Sequence, residues 1–130
     1  MPGQGGNTTV YSSELANITA RVVAYAAALP HTSVVFALTT PYLCDAVIDQ
    51  TINGTLNVAA RVVMAAAGVP VLDPYDAIRV KCGGTPPTSG CPSMPAWGNT
   101  CWCPHCSSDG YEWLTTSLLA PAIRAMLLKK

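Results

Sequence analysis

The stretch Val34-Val35-Phe36-Ala37-Leu38-Thr39-Thr40 decides the fold class, because it is a short continuous run of β-branched, aromatic and apolar residues between turn residues. Such a run predicts a strand buried on both faces, the type found in parallel sheets. A second run, Val69-Pro70-Val71-Leu72-Asp73, has its proline near the start, where a missing backbone donor is least harmful. The sequence therefore predicts two short buried strands.

Helical patterns flank the first strand on both sides. Ahead of it, behind the candidate caps Ser12 and Ser13, one apolar face is formed by Leu15, Ile18, Val22, Tyr25 and Leu29. Between the strands, from Asp45 to Ala67, another apolar face is formed by Ile48, Ile52, Leu56, Ala59, Val63 and Ala66. Asn53-Gly54 weakens the start of this second helix, and Gly68 is suited to end it.

Two more helices are predicted after the second strand. Pro74 to Arg79 forms a short one, and Asp109 to Leu128 forms a longer one that Pro121 kinks or restarts and that covers one face of the sheet. The order helix, strand, helix, strand predicts α/β layering, with a right-handed crossover between parallel strands. Two strands leave both sheet edges open, so we expect an absent N-terminal half, a second copy or a different protein to cover them.

Composition limits the domain count and the function classes. The chain has 130 residues and 13.6 kDa, which predicts a single, partial domain over 1–130, with a flexible N-terminus at 1–10 and a Cys-, Pro- and Gly-rich loop at 81–108. Seven basic residues balance seven acidic ones, which argues against a nucleic-acid partner. The longest apolar stretches, such as Val62 to Ala67, fall far short of the roughly 18 residues that a membrane span needs.

Cysteines and sequons indicate the compartment. The chain has six cysteines, and Asn7, Asn17 and Asn53 each begin an Asn-x-Thr sequence that predicts N-glycosylation. Together these features predict a disulfide-bonded glycoprotein of the secretory pathway or the extracellular space. Met1 to Gly6 has neither the basic nor the apolar region of a signal peptide, so we expect a processed or truncated piece unless the secretory interpretation is wrong.

The densest chemical feature is Cys101-Trp102-Cys103-Pro104-His105-Cys106, just ahead of the last helix. Disulfide bonds that close the loop between Cys82 and Cys106 are the simplest interpretation. Thiol redox chemistry is a second one, because Cys103 and Cys106 form a C-x-x-C at a helix start, where a thiol pKa is lowered. Zinc is a third, and its ligands would come from Cys91, Cys101, Cys103, His105 and Cys106. The sequence leaves all three open.

Other residues receive structural interpretations. Asp45 and Asp73 each follow a predicted strand and are predicted to cap the next helix or turn. The tryptophans near the cysteine-rich loop, Trp97, Trp102 and Trp113, are predicted to pack. His31 follows Pro30 in a turn and receives no role.

A fourth interpretation of the loop comes from the order of short blocks along the chain. These are the run from Val34 to Pro41, Asn57-Val58-Ala59-Ala60, Gly68 to Asp73, Pro104-His105, Asp109-Gly110-Tyr111 and Leu119-Ala120-Pro121-Ala122-Ile123. This order resembles the second half of the SGNH/GDSL hydrolases, over most of residues 11–128. In that family the catalytic histidine lies just ahead of the final helix.

The resemblance implies a flavodoxin-like three-layer α/β/α fold and a serine esterase or acyl hydrolase that needs no cofactor and no metal. His105 matches the general base, and it is the one catalytic residue that carries over. The Gly-Asp-Ser block with the nucleophile and the Gly-x-Asn-Asp block are absent from this chain. Trp102 occupies the position of the acid that orients the histidine, and an indole cannot accept the Nδ1 proton.

Three functional hypotheses follow. The first is the C-terminal part of an SGNH-like esterase acting on carboxylic esters or acylated glycans, with His105 as base and the serine supplied by missing N-terminal sequence; this chain alone is then inactive. The second is an inert disulfide-stapled module that completes its sheet by binding a partner or itself. The third is a thiol oxidoreductase that uses Cys103 and Cys106.

Overall fold

A computed structural model describes residues 8–43, 45–83 and 108–128 of the chain. These residues form helices around a two-stranded parallel sheet, a small α/β arrangement. The elements are α1 (Thr8–Ala27), β1 (Phe36–Ala37), α2 (Ala46–Thr51), the π-helical turn π1 (Ile52–Asn57), α3 (Val58–Ala67), β2 (Val71–Leu72), α4 (Pro74–Lys81), α5 (Ser108–Leu114), the π-helical turn π2 (Thr115–Leu119) and α6 (Ala120–Leu127).

The sheet confirms the predicted parallel pair but is shorter than the two runs. Phe36 pairs with Val71 and Ala37 with Leu72. The Phe36 amide donates to the Pro70 carbonyl at 2.9 Å, so Pro70 takes part as an acceptor, the one backbone role that proline retains. Burial on both faces is wrong for β1, because Phe36 is half-buried and Ala37 is exposed. Among the described residues, no third strand pairs with β1 or with β2, so neither edge of the sheet is covered by another strand.

The predicted helix from Asp45 to Ala67 is present as α2, π1 and α3 in succession. Asp45 caps it as predicted, since its carboxylate accepts from the amides of Val47 and Ile48. Gly68 ends it with a φ of 67°, a left-handed conformation that glycine adopts without steric cost. Asn53-Gly54 does not delay the start but falls inside π1.

The buried face of this long helix differs from the predicted one. Ile48 and Ala66 are exposed, whereas Asp49 and Asn57 are buried. The displacement is already present at Asp49, ahead of π1, and the wider turn of π1 then changes the period of 3.6 residues per turn that the prediction assumed. The remaining buried residues of this helix are Ala59, Ala60 and Met64.

Helix α1 corrects a second expectation. It begins at Thr8, ahead of the candidate caps Ser12 and Ser13, and its predicted core face is largely exposed. The residues that it buries are Thr19 and Ala26, and the Thr19 hydroxyl lies 3.9 Å from the Met64 sulfur of α3. Small residues seven apart let two helices approach closely, so α1 rests on α3 through this stripe rather than through its large apolar residues.

Helix α5 and the turn π2 pack against α4 and the segment that follows β1. Leu114 joins a buried cluster with Leu43, Ile78 and Cys82, and Trp113, Leu118 and Leu119 pack against it. The cluster contains no strand residue, so α5 covers Leu43 and α4 rather than the predicted sheet face. Trp113 packs as predicted.

Pro121 lies in the first turn of α6, directly after π2. The Ala120 amide donates to the Thr115 carbonyl, five residues earlier. This wider turn separates the proline ring from the carbonyl four residues before it, which a regular α-helix would bring into collision. The predicted restart at Pro121 therefore takes the form of a π turn.

Within the described parts of the chain, no helix has both the length and the apolar character needed to cross a membrane.

Candidate functional site at the carboxyl ends of the strands

The candidate site lies where both strands end, the edge at which open parallel sheets bind their ligands. Residues 38–43 follow β1, and Asp73 follows β2 and is succeeded directly by the first turn of α4, which contains Tyr75. Two buried polar side chains reach this edge from the long helix, Asp49 in α2 and Asn57 at the end of π1, each with 3% of its surface exposed. Buried polar groups are costly unless they are hydrogen-bonded, so their partners define the site.

Asn57 holds the backbone directly after β1. Its Nδ2 donates to the Thr39 carbonyl and its Oδ1 accepts from the Thr39 amide, both at 3.0 Å. The side-chain amide thus bonds Thr39 as a neighbouring strand would, at the point where β1 has left β2. Both backbone groups of Thr39 are satisfied, and the end of the strand is fixed to the helix.

Asp49 joins the segments that follow the two strands. One carboxylate oxygen accepts from the Tyr42 amide at 2.8 Å, and the other accepts from the Tyr75 hydroxyl at 2.6 Å. Tyr42 lies after β1 and Tyr75 after β2. One buried carboxylate therefore ties both strand ends to α2.

The π turn brings these two side chains onto one face. Residues eight apart in a regular α-helix, which turns by about 100° per residue, lie about 80° apart around the axis. A π turn contains one extra residue, so the offset between Asp49 and Asn57 falls to about 20°. We therefore interpret π1 as the feature that places both polar side chains at the site, since turns of this type are frequent at functional sites.

Tyr75 is held as a neutral hydrogen-bond donor. Burial, the hydrogen bond to Asp49 and the charge of that carboxylate raise the pKa of Tyr75 from 10.0 to about 12, while Arg79 acts in the opposite direction. The Arg79 guanidinium lies 5.7 Å from the centre of the Tyr75 ring, within cation–π range. At neutral pH this phenol donates a proton in a hydrogen bond and does not serve as a base or nucleophile.

A shallow cavity of about 350 Å³ opens beside this cluster. Its lining consists of Ala46, Asp49, Gln50, Asn53, Gly54, Tyr75 and Arg79. The volume falls at the lower end of the range for small-molecule sites. Among the described residues, the lining offers amides, a phenol and a guanidinium for polar contacts but no serine, cysteine or histidine. These residues can position a polar group.

Asp73 acts as the cap that the sequence predicts. One carboxylate oxygen accepts from the Asp76 amide at 3.0 Å at the start of α4, and the other pairs with Arg61 of α3 at 2.5 Å. Both side chains of this ion pair are partly exposed. Asp73 is thus occupied in fixing α4 to α3.

The residues with predicted chemistry lie mostly outside the described parts of the chain. This applies to His105, to Cys44, and to the loop cysteines Cys91, Cys101, Cys103 and Cys106. Cys82 is described, and it is buried in the cluster with Leu43, Ile78 and Leu114. Cys82 is also disulfide-bonded. The general base, the thiol pair, the zinc ligands and the pairing of the disulfides stay predictions. Within the described ranges, no three His, Cys, Asp or Glu residues are placed to hold a metal ion.

Sequence reasoning missed Asp49, Asn57 and Tyr75. Their partners lie 7, 18 and 26 residues away along the chain, which no local pattern reveals. One signal was present: two short polar residues, Asp49 and Asn57, interrupt a helix whose other core positions are apolar. A buried polar residue in such a helix indicates a specific hydrogen-bonding task.

Comparison of the chain with protein-family models, with curated proteins and with solved structures finds no match.

Proposed function

We propose that this chain provides the C-terminal part of an SGNH-like serine esterase with a three-layer α/β/α fold, acting on carboxylic esters or acylated glycans. The observation that carries the proposal is the fixed carboxyl edge of the parallel sheet, where Asp49 and Asn57 hold the segments after both strands. Hydrolases of this architecture place their chemistry at that edge, and it must be rigid to hold reacting atoms in register.

The packing of α5 supports His105 as the general base. Helix α5 begins at Ser108, three residues after His105. Its Leu114 packs against Leu43, which follows β1, and Ile78, which lies in the helix that follows β2. The helix after the histidine is therefore anchored to the segments that leave the carboxyl edge, as the proposed chemistry requires.

The proposed reaction has two steps. A serine from the missing N-terminal sequence attacks the ester carbonyl while His105 takes its proton, and His105 then returns the proton to the departing alcohol. Water attacks the resulting acyl-serine by the same route in reverse, which releases the acid and regenerates serine and neutral histidine. Because Trp102 cannot accept the Nδ1 proton, a backbone carbonyl is the group that would orient the imidazole.

The test uses the two histidines of the chain. In the longer gene product, His105→Asn should lower kcat/KM for a p-nitrophenyl ester by at least about 100-fold, since general-base catalysis contributes on that order. His31→Asn is the matched control, because His31 lies in an exposed turn with a φ of 60° that asparagine tolerates. Equal turnover in the two variants would overturn the proposal.

A second candidate function is an inert module that completes its sheet with another protein. The supporting observation is the edge of β1: the amides of Phe36 and Leu38 donate toward β2, so the Ala37 amide between them faces away from β2. A partner strand would bond Ala37 and slow its hydrogen exchange. A monomer that unfolds cooperatively in dilute solution, with rapid exchange at Ala37 under all conditions, would contradict this candidate.

A further inference from the structure

Helix α1 carries a seven-residue repeat that its contacts within the chain cover only in part. Large apolar residues recur at alternating spacings of four and three: Tyr11, Leu15, Ile18, Val22 and Tyr25 lie on one face of the helix, and Leu29 continues the spacing two residues past its end. This alternation is the a and d pattern of helices that pair along their length, with Leu15, Val22 and Leu29 at a and Tyr11, Ile18 and Tyr25 at d. These six residues are called the α1 seam below.

Most of the α1 seam is exposed although its helix is packed: Tyr11 and Leu15 are half-buried, and the other four residues are exposed. Ile18 has 57% of its surface exposed and Tyr25 has 70%. Thr19 and Ala26, which rest on α3, occupy the e positions next to the seam. Helix α1 is therefore held on one flank, and no other described part of the chain covers most of the adjacent apolar face.

Helix α3 extends this open surface. Val58 and Val62 are exposed, and they line a groove of about 340 Å³ together with Thr8 and Ser12 of α1. Thr8 falls at an a position of the same repeat, so the groove adjoins the seam. A helix laid along the seam would contact residues of both α1 and α3, as in a four-helix bundle.

Two charges identify the occupant. Glu14 and Arg21 are exposed, lie seven residues apart at g positions, and have no ion-pair partner among the described residues. When two copies of α1 pair in opposite directions, g faces g, and Glu14 of each copy meets Arg21 of the other. Parallel pairing would bring them to the e positions Thr19 and Ala26, which α3 already covers. The charges therefore fit an antiparallel second copy of this helix.

We propose that the chain forms a symmetric dimer through antiparallel pairing of the α1 seam. In the register that joins Glu14 to Arg21, Ile18 packs against Leu15 of the second copy and Val22 packs against its Tyr11. Each contact occurs twice, as the symmetry of an isologous interface requires. The inference needs neither His105 nor a serine, so it stands independently of the proposed esterase.

The first measurement is sedimentation equilibrium of the 130-residue chain, with a non-reducing gel to exclude dimers cross-linked by cysteines. We expect a reversible monomer–dimer equilibrium with a Kd below about 100 µM. The variant Ile18→Gln/Val22→Gln should raise the dimer Kd at least about 100-fold, because each copy loses two buried apolar contacts. Both side chains are exposed in the monomer, so its circular dichroism should not change. Ala20→Gln, at an exposed position outside the seam, is the matched control and should leave Kd unchanged.

Charge reversal tests the direction of pairing. Glu14→Lys and Arg21→Glu should each raise Kd about tenfold by placing like charges together, and the double variant should restore the original Kd. A monomer at 100 µM would overturn the proposal, as would a dimer insensitive to Ile18→Gln/Val22→Gln. A double variant weaker than either single one would overturn the antiparallel arrangement.

Discussion

The carboxyl edge of the sheet and the outer face of α1 distribute polarity in opposite ways. At the edge, the carboxylate of Asp49 and the amide of Asn57 are buried, and their hydrogen bonds end on backbone groups and on Tyr75. On α1, residues such as Ile18 and Tyr25 face outward. The first region is complete in itself, because its polar groups have partners within the chain. The second is incomplete, because its apolar surface has found no cover among the described residues.

This difference separates two kinds of contribution to the protein. Buried hydrogen bonds at the edge determine the shape of this chain, since leaving such groups unpaired costs free energy. The exposed apolar face adds little to the stability of the monomer, and it contributes favourable free energy when a second surface removes it from water. Substitutions should therefore affect unfolding in the first region and association in the second.

The largest effect is expected from Asn57→Ala. Removal of the amide leaves the N–H and C=O of Thr39 without their partners in a part-buried position, which should lower the free energy of unfolding by about 3 kcal/mol. Urea denaturation monitored by circular dichroism measures this. Asn53→Ala in the same π turn is the matched control, since Asn53 is exposed, and it should change stability by less than about 0.5 kcal/mol. Equal effects would show that the Thr39 bonds contribute nothing.

A smaller loss is expected from Tyr75→Phe. The variant keeps the ring beneath Arg79 and removes only the hydroxyl that donates to Asp49. A hydrogen bond to a charged group contributes about 1.5 to 3 kcal/mol, so we expect a loss near the lower limit, because Asp49 retains its bond from Tyr42. Tyr25→Phe, at an exposed tyrosine of α1, should leave urea unfolding unchanged. A Tyr75→Phe protein as stable as wild type would rule out this link between the strand ends.

The same tyrosine predicts a stability loss at high pH. Its pKa is raised from 10.0 to about 12 in the folded protein, so the unfolded chain loses this proton first. The resulting stabilisation is complete below pH 10 and should be lost as the pH rises from about 10 to about 12. The difference in unfolding free energy between wild type and Tyr75→Phe should shrink across this interval. A constant difference would contradict the raised pKa.

The smallest effect is expected from the exposed pair Arg61 and Asp73. Arg61→Gln should lower the free energy of unfolding by about 0.5 kcal/mol or less, because water and salt screen a surface ion pair. Asp73→Ala should cost more, about 1 kcal/mol, since it also removes the cap of α4. Equal losses for the two variants in thermal denaturation would show that the cap contributes nothing.

Local signals in the sequence predicted the local parts of this fold. The caps Asp45 and Asp73 and the terminator Gly68 depend on a few neighbouring residues, and all three are confirmed. The parallel order of the strands followed from the sequence of elements, although the paired region is shorter than the apolar runs. Here the prediction failed because pairing length depends on neighbouring strands, which a run of apolar residues does not specify.

Features that depend on distant contacts were not predictable. Nothing near Asn57 indicates that its partner is Thr39, and the π turn that directs it there changes the helical period on which the prediction was based. The sequence predicts the apolar face of α1, apart from Tyr11, but not that most of this face is exposed. Apolar periodicity shows which face of a helix avoids water, and it does not show whether the cover comes from the same chain.

The bonds that hold the segment after β1 end on main-chain atoms: Asn57 on the amide and carbonyl of Thr39, Asp49 on the amide of Tyr42. These hydrogen bonds therefore do not depend on which side chains occupy positions 39 and 42. Substitutions at these two positions can change the side chains that a ligand would meet at the strand end, while the path of the backbone stays the same. Proline alone is barred from both, because it has no amide hydrogen to give. The geometry of this edge is therefore determined by the side chains of Asp49 and Asn57 in the helix, whereas the side chains at positions 39 and 42 can change without altering it.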